Sequence, residues 1–86
     1  NYFNFGMLYH KLGNKEKALE YMYKQLSLRE ELFNLTKANE QIFDYTSALY
    51  CVGLIHKIYK MDEVESYYKK AVLLTEDLLK DNENSN

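Results

Sequence analysis

Apolar residues recur at three- and four-residue intervals through nearly all of the 86-residue chain. That is the spacing of one face of an α-helix. Tyr2, Phe5, Leu8, Tyr9 and Leu12 define a first helix over 2–12. The string LGN at 12–14 interrupts it: Gly13 suits the left-handed position just past a helix end, and Asn14 suits the N-cap of the next helix. A second helix is predicted from Lys15 to Leu35. It carries two apolar stripes, Ala18, Leu19, Met22, Leu26 and Phe33 on one and Tyr21, Leu28, Leu32 and Leu35 on the other. A helix patterned in this way is contacted from two sides.

NLTKANE at 34–40 is a polar connector. The third helix is predicted to begin between Asn39 and Asp44 and to run to Tyr59. YKMD at 59–62 is a second tight turn, without glycine; Asp62 is expected to cap the fourth helix, with Glu65 completing an Asp-x-x-Glu capping box. That helix is predicted to end at Leu79. KDNENSN has no apolar anchor, so 81–86 is expected to be a disordered tail. Short turns force antiparallel neighbours. The predicted fold class is therefore all-α: four helices forming two stacked antiparallel helical hairpins over 1–80, with unit one at 1–36 and unit two at 41–80.

The two hairpins are related in sequence. LYHKLGNKEKALEYMYKQL at 8–26 returns as LIHKIYKMDEVESYYKKAV at 54–72, 46 positions later and without a gap. Leu8 matches Leu54, His10 matches His56, Lys11 matches Lys57, Tyr21 matches Tyr67 and Lys24 matches Lys70. A repeat with a period of roughly 20–50 residues marks a solenoid of stacked units. The first unit, NFGMLYHKLGNKEKALEY, resembles the tetratricopeptide repeat: Tyr2 takes the large-aromatic place, Phe5-Gly6 the Leu-Gly place, Tyr9 the Tyr place, and Ala18 the small-residue place after the turn at Gly13. In the second unit Ala48, Cys51, Val52, Ile55, Val64, Tyr68 and Ala71 hold the equivalent places, with Gly53 one step past the glycine place. The unit is longer than the roughly 34 residues usual in the family. LSLREEL at the end of the second helix is similar to the long repeats of kinesin light chain and related adaptors. The resemblance covers 2–79. It implies a tetratricopeptide-repeat-like α-solenoid whose first helices line a concave groove for extended peptides or partner helices.

A turn of about 100° per residue places Tyr2, Phe5, Gly6, Tyr9 and Leu12 on the packing side of helix one. Phe3, Asn4, Met7, His10 and Lys11 fall on the opposite, open side. In helix three the equivalent open side is Thr46, Leu49, Tyr50, Gly53, His56 and Lys57. These positions are the candidate groove. Phe3, Met7, Leu49 and Tyr50 would supply apolar pockets. The repeated His and Lys favour an acidic or carboxylate-bearing partner. An Asn at the place of Asn4 pairs with peptide backbone in the adaptors that this chain resembles, using its amide donor and acceptor. Readings that need no ligand stand beside these. Lys11 and Lys57 complement helix C-terminal dipoles, the two His are partly exposed helix residues, the aromatics pack on a neighbouring repeat, and Cys51 is a small core residue.

Composition narrows the function. The chain is 47% hydrophobic and has no proline, which excludes a disordered chain and suits unkinked helices. The formal net charge of −2 has both signs mixed throughout, without the basic face that displaces counterions from phosphates, so no nucleic-acid partner is expected. ALYCVGLI, the longest apolar run, is too short to span a bilayer, and no membrane association is expected. There is no signal-peptide pattern, and the lone Cys51 makes no internal disulfide, which points to a reducing, cytoplasmic compartment. The chain starts at Asn1 within a helical pattern, as expected for a piece of a longer protein. No Gly-rich phosphate loop, His-x-x-x-His, Cys-x-x-Cys or triad spacing occurs, so neither enzyme activity, cofactor nor metal is expected. The sequence thus predicts a non-catalytic protein- or peptide-binding module acting as adaptor or scaffold. The alternatives are a purely structural solenoid or homodimerisation segment, and the peptide-sensing repeat region of a regulator. Two units are fewer than the three usually needed for stability, so flanking repeats or self-association are expected to cover the ends.

Overall fold

The computed structural model describes residues 2–84, with side chains over 2–80. Four helices follow in the order α1 (Tyr2–Lys11), α2 (Lys15–Thr36), α3 (Asn39–Ile58) and α4 (Val64–Asn84). The all-α pair of helical hairpins read from the sequence is the observed fold. Each helix packs on its chain neighbours. Among the described residues α1 and α3 do not bring their backbones within 8 Å of each other.

The first turn forms as the residues dictate. Gly13 adopts φ 80°, and its N–H donates to the His10 carbonyl. Asn14 caps α2, its side-chain Oδ1 accepting from the Lys17 N–H at 3.1 Å. The second turn repeats this backbone pattern at a spacing of 47. Leu12 N–H to Leu8 O, Gly13 N–H to His10 O and Asn14 N–H to Tyr9 O recur as Tyr59 to Ile55, Lys60 to Lys57 and Met61 to His56. Lys60 takes the left-handed place of Gly13, with φ 56°. The first helices therefore correspond at 47 residues, not the 46 of the sequence match.

The capping expectation at Asp62 is corrected. α4 begins at Val64; the Glu63 carbonyl accepts from the Tyr67 N–H, and Glu63 itself has φ 73°. This turn, residues 59–63, holds two left-handed residues, Lys60 and Glu63, and α4 starts only after the second of them. The Asp62 carbonyl instead accepts a side-chain hydrogen bond from inside the fold. α4 also continues through Asn84, beyond the expected end at Leu79, so the predicted tail is helical there; the rest of it lies outside the described residues.

The core runs along α3, which is held between α2 and α4. Nine of its residues are buried, whereas Gly6 alone is buried in α1. Val52 and Ile55 pack with Met22 of α2; Tyr45 and Leu49 pack with Ala71 of α4. Polar links fasten the same three helices: Tyr45 Oη donates to Glu30 Oε2 at 3.0 Å, and Lys70 Nζ lies 3.9 Å from that oxygen and 5.5 Å from the Tyr45 ring centroid. The Lys70 ammonium is held above its ordinary pKa mainly by its hydrogen bond with Tyr45. Both partners of the Lys70–Glu30 pair are about half exposed, so apolar packing, not the ion pair, carries this junction.

Two substitutions test this architecture by urea denaturation. A methyl group at Gly53 would stand 2.7 Å from Cε1 of Tyr68, so Gly53→Ala is expected to cost about 1–3 kcal/mol as the ring is displaced. Lys60→Gly relieves a left-handed non-glycine residue at the expense of a more flexible unfolded chain, and is expected to add about 0.5 kcal/mol.

Candidate functional site

Helix α1 uses one face to join α2. The Tyr2, Phe5 and Tyr9 rings gather around Tyr21, with centroids 6.2, 5.4 and 5.6 Å away. Gly6 lies against Met22, whose Cε is 3.1 Å from where a Cβ would be. This close approach turns Phe3, Met7 and His10 towards α3. Across the gap stand Cys51, Leu54, Ile55 and Ile58 of α3, and Met22 of α2 forms the floor. The resulting groove encloses about 170 Å³. At its turn end His10 Nδ1 is hydrogen-bonded to the Tyr59 hydroxyl at 2.7 Å, the rings meeting edge-on. Lys15 Nζ lies 5.5 Å from the Tyr59 ring centroid. Burial pushes the Cys51 thiol above its ordinary pKa, so it sits in the groove wall as a protonated, weakly polar group.

Of the positions expected to form the open face, Phe3, Met7 and His10 line this groove, while Asn4 and Lys11 are exposed on α1. The expectation for α3 is largely overturned. Thr46, Leu49, Gly53 and His56 are buried; of the six, Tyr50 and Lys57 are exposed. Thr46 Oγ1 donates to the Phe43 carbonyl, Leu49 packs in the core with Ala71, and Gly53 faces Tyr68. The Tyr50 ring lies 5.7 Å from that of Tyr68 and so leans towards α4. His56 is 4% exposed. Its Nδ1 lies 2.8 Å from the Asp62 carbonyl oxygen and its Nε2 2.6 Å from the Tyr23 hydroxyl. A carbonyl accepts only, so Nδ1 donates, and in the neutral ring Nε2 accepts from Tyr23. His56 is thus a structural bridge from α3 to α2 and to the second turn, neither a groove residue nor a partly exposed one.

One residue of register accounts for part of this displacement, because it rotates a helical position by about 100°. At the observed spacing of 47, Met7 corresponds to Leu54, His10 to Lys57 and Lys11 to Ile58. Leu54 and Ile58 were therefore missed; Cys51 and Ile55, whose counterparts Asn4 and Leu8 do not line the groove, were missed as well, as was Met22 of α2. The available signal was Gly53, which stands one step beyond the glycine place of the 46-residue match.

No helix among the described residues is long and apolar enough to cross a membrane. The family model for the tetratricopeptide repeat matches residues 1–32, which span α1, the first turn and most of α2. No curated protein and no solved structure matches the chain. The match falls on the first hairpin and supports reading the chain as a tetratricopeptide repeat protein.

Proposed function

We propose that the chain is a non-catalytic protein- or peptide-binding module, serving as an adaptor or scaffold element, and that the groove between α1 and α3 receives a bulky apolar side chain of the partner. The observation that carries this reading is the lining: Phe3, Met7, Met22, Leu54, Ile55 and Ile58 converge on one groove, with half of Leu54 and of Ile58 left exposed. Its volume of about 170 Å³ falls below the roughly 300–1,000 Å³ of small-molecule sites and suits a side chain instead. Burying one such side chain contributes about 1.5–3 kcal/mol. Lys11 and Lys57, both exposed at the turn ends of α1 and α3, favour carboxylates flanking that anchor. Each exposed pair contributes under about 1 kcal/mol, so the apolar anchor dominates affinity and the lysines tune it.

Selection from a random peptide display library tests the reading. Enriched peptides are expected to share a bulky apolar residue with Asp or Glu nearby. Leu54→Glu is expected to weaken their binding at least about tenfold, or ~1.4 kcal/mol. Lys11→Glu with Lys57→Glu is expected to have a smaller effect that fades with salt. Peptides that bind Leu54→Glu as tightly as the wild type would sink the proposal. Cys51 gives an independent readout. Its raised pKa leaves little thiolate at pH 8, so alkylation should be slow in the folded chain, fast in urea, and slower still with a selected peptide bound. An alkylation rate indifferent to the peptide would place the peptide elsewhere.

A further inference from the structure

The chain contains one complete junction between hairpins, α2 against α3, and the unused counterpart of each side of it. Val52 and Ile55 of α3 make that junction with Met22 of α2, and Tyr59, which caps α3, packs against the same cluster. The correspondence at 47 residues, fixed by the repeated turn hydrogen bonds, maps Val52, Ile55 and Tyr59 onto Phe5, Leu8 and Leu12. Val52 and Ile55 are 0% and 3% exposed; Phe5, Leu8 and Leu12 are 48%, 50% and 69% exposed. On the other side, Met22 and Tyr68 hold matching places against Gly6 and Gly53, so α2 and α4 correspond at 46. Leu26, which packs into both core clusters, then corresponds to Val72, which is 43% exposed. Phe33, packed in the second cluster, likewise corresponds to Leu79, which is 57% exposed. Met22 corresponds to Tyr68, which is already engaged with Gly53, and Leu19 to Glu65, so α4 repeats the apolar surface of α2 at Val72 and Leu79.

We infer that two copies of this chain associate head to tail, the α4 face around Val72 of one copy covering the Phe5–Leu8–Leu12 face of the next, as α2 covers α3 within the chain. The occupant is a second copy because α1 and α4 of this same chain carry, still exposed, residues equivalent to ones that pack on each side of the internal junction. A heterologous contact of this kind leaves one face of each kind free in a dimer, so association continues beyond a dimer as concentration rises. The surface is separate from the groove, whose lining does not include Phe5, Leu8, Leu12 or Val72.

Sedimentation equilibrium on the wild type, Leu8→Glu and Val72→Glu tests this, with circular dichroism showing that all three are equally helical. The wild-type mass is expected to climb above the 10.3 kDa monomer as concentration rises. Each variant alone should remain monomeric, having lost one of two complementary faces. Mixed in equal amounts, the variants should form a 1:1 dimer that grows no further, since each supplies the face that the other lacks. Leu54→Glu should associate as the wild type does, which separates this inference from the groove proposal. A wild type monomeric at every concentration would overturn it. So would a Val72→Glu variant that still dimerises, which would mean that two α1 faces meet symmetrically, or a mixture that stays monomeric.

Discussion

The close approach of helix to helix at Gly6 and Gly53 is the constraint on which the rest of the structure depends. In each hairpin a large side chain of the second helix, Met22 or Tyr68, lies directly on the glycine backbone of the first. A Cβ at Gly53 would run into the Tyr68 ring, and one at Gly6 would press on the Met22 side chain. With the glycines in place, α1 and α3 settle deeply enough for Tyr21 to collect three rings of α1 and for Tyr67 to meet His56 edge-on at 5.0 Å. The rotation of each first helix about its own axis follows from that contact. What α1 and α3 turn towards each other across the groove is thus decided by two residues that have no side chain.

The polar groups of the interior follow the same geometry. His56 is carried into the space between α2 and α4, where desolvation is offset by two hydrogen bonds, one to a side chain of α2 and one to the backbone of the second turn. The Tyr23, Tyr45 and Tyr67 hydroxyls are all pushed above their ordinary pKa, chiefly by burial. They stay protonated across the neutral range, which leaves Tyr23 paired with His56 and Tyr45 able to donate to Glu30.

Much of this was legible in the sequence. The helical periodicity, Gly13 and Asn14 placed α1, the first turn and α2 to within a residue, and of the packing side read for α1, Tyr2, Phe5, Gly6 and Tyr9 do meet α2, whereas Leu12 is exposed. α3 was harder. It is covered on two sides, so apolar residues occur around most of its circumference and periodicity alone does not say which ones face the groove. The 46-residue identity of His10 with His56 and of Lys11 with Lys57 then supplied the wrong register. Lys60 and Glu63, left-handed without being glycine, hid the geometry of the second turn from any rule based on turn residues.

The hydrogen bond between His10 and Tyr59 has a consequence for anything that enters the groove. It ties the last turn of α1 to the residue that ends α3, across a gap that the two backbones do not bridge. The groove is therefore a blind slot, shut by a polar latch at the turn end. An extended strand cannot thread through it from one end to the other while the latch holds. On the function proposed above, the partner's anchor would therefore enter from the side, or as a chain end that stops at the latch.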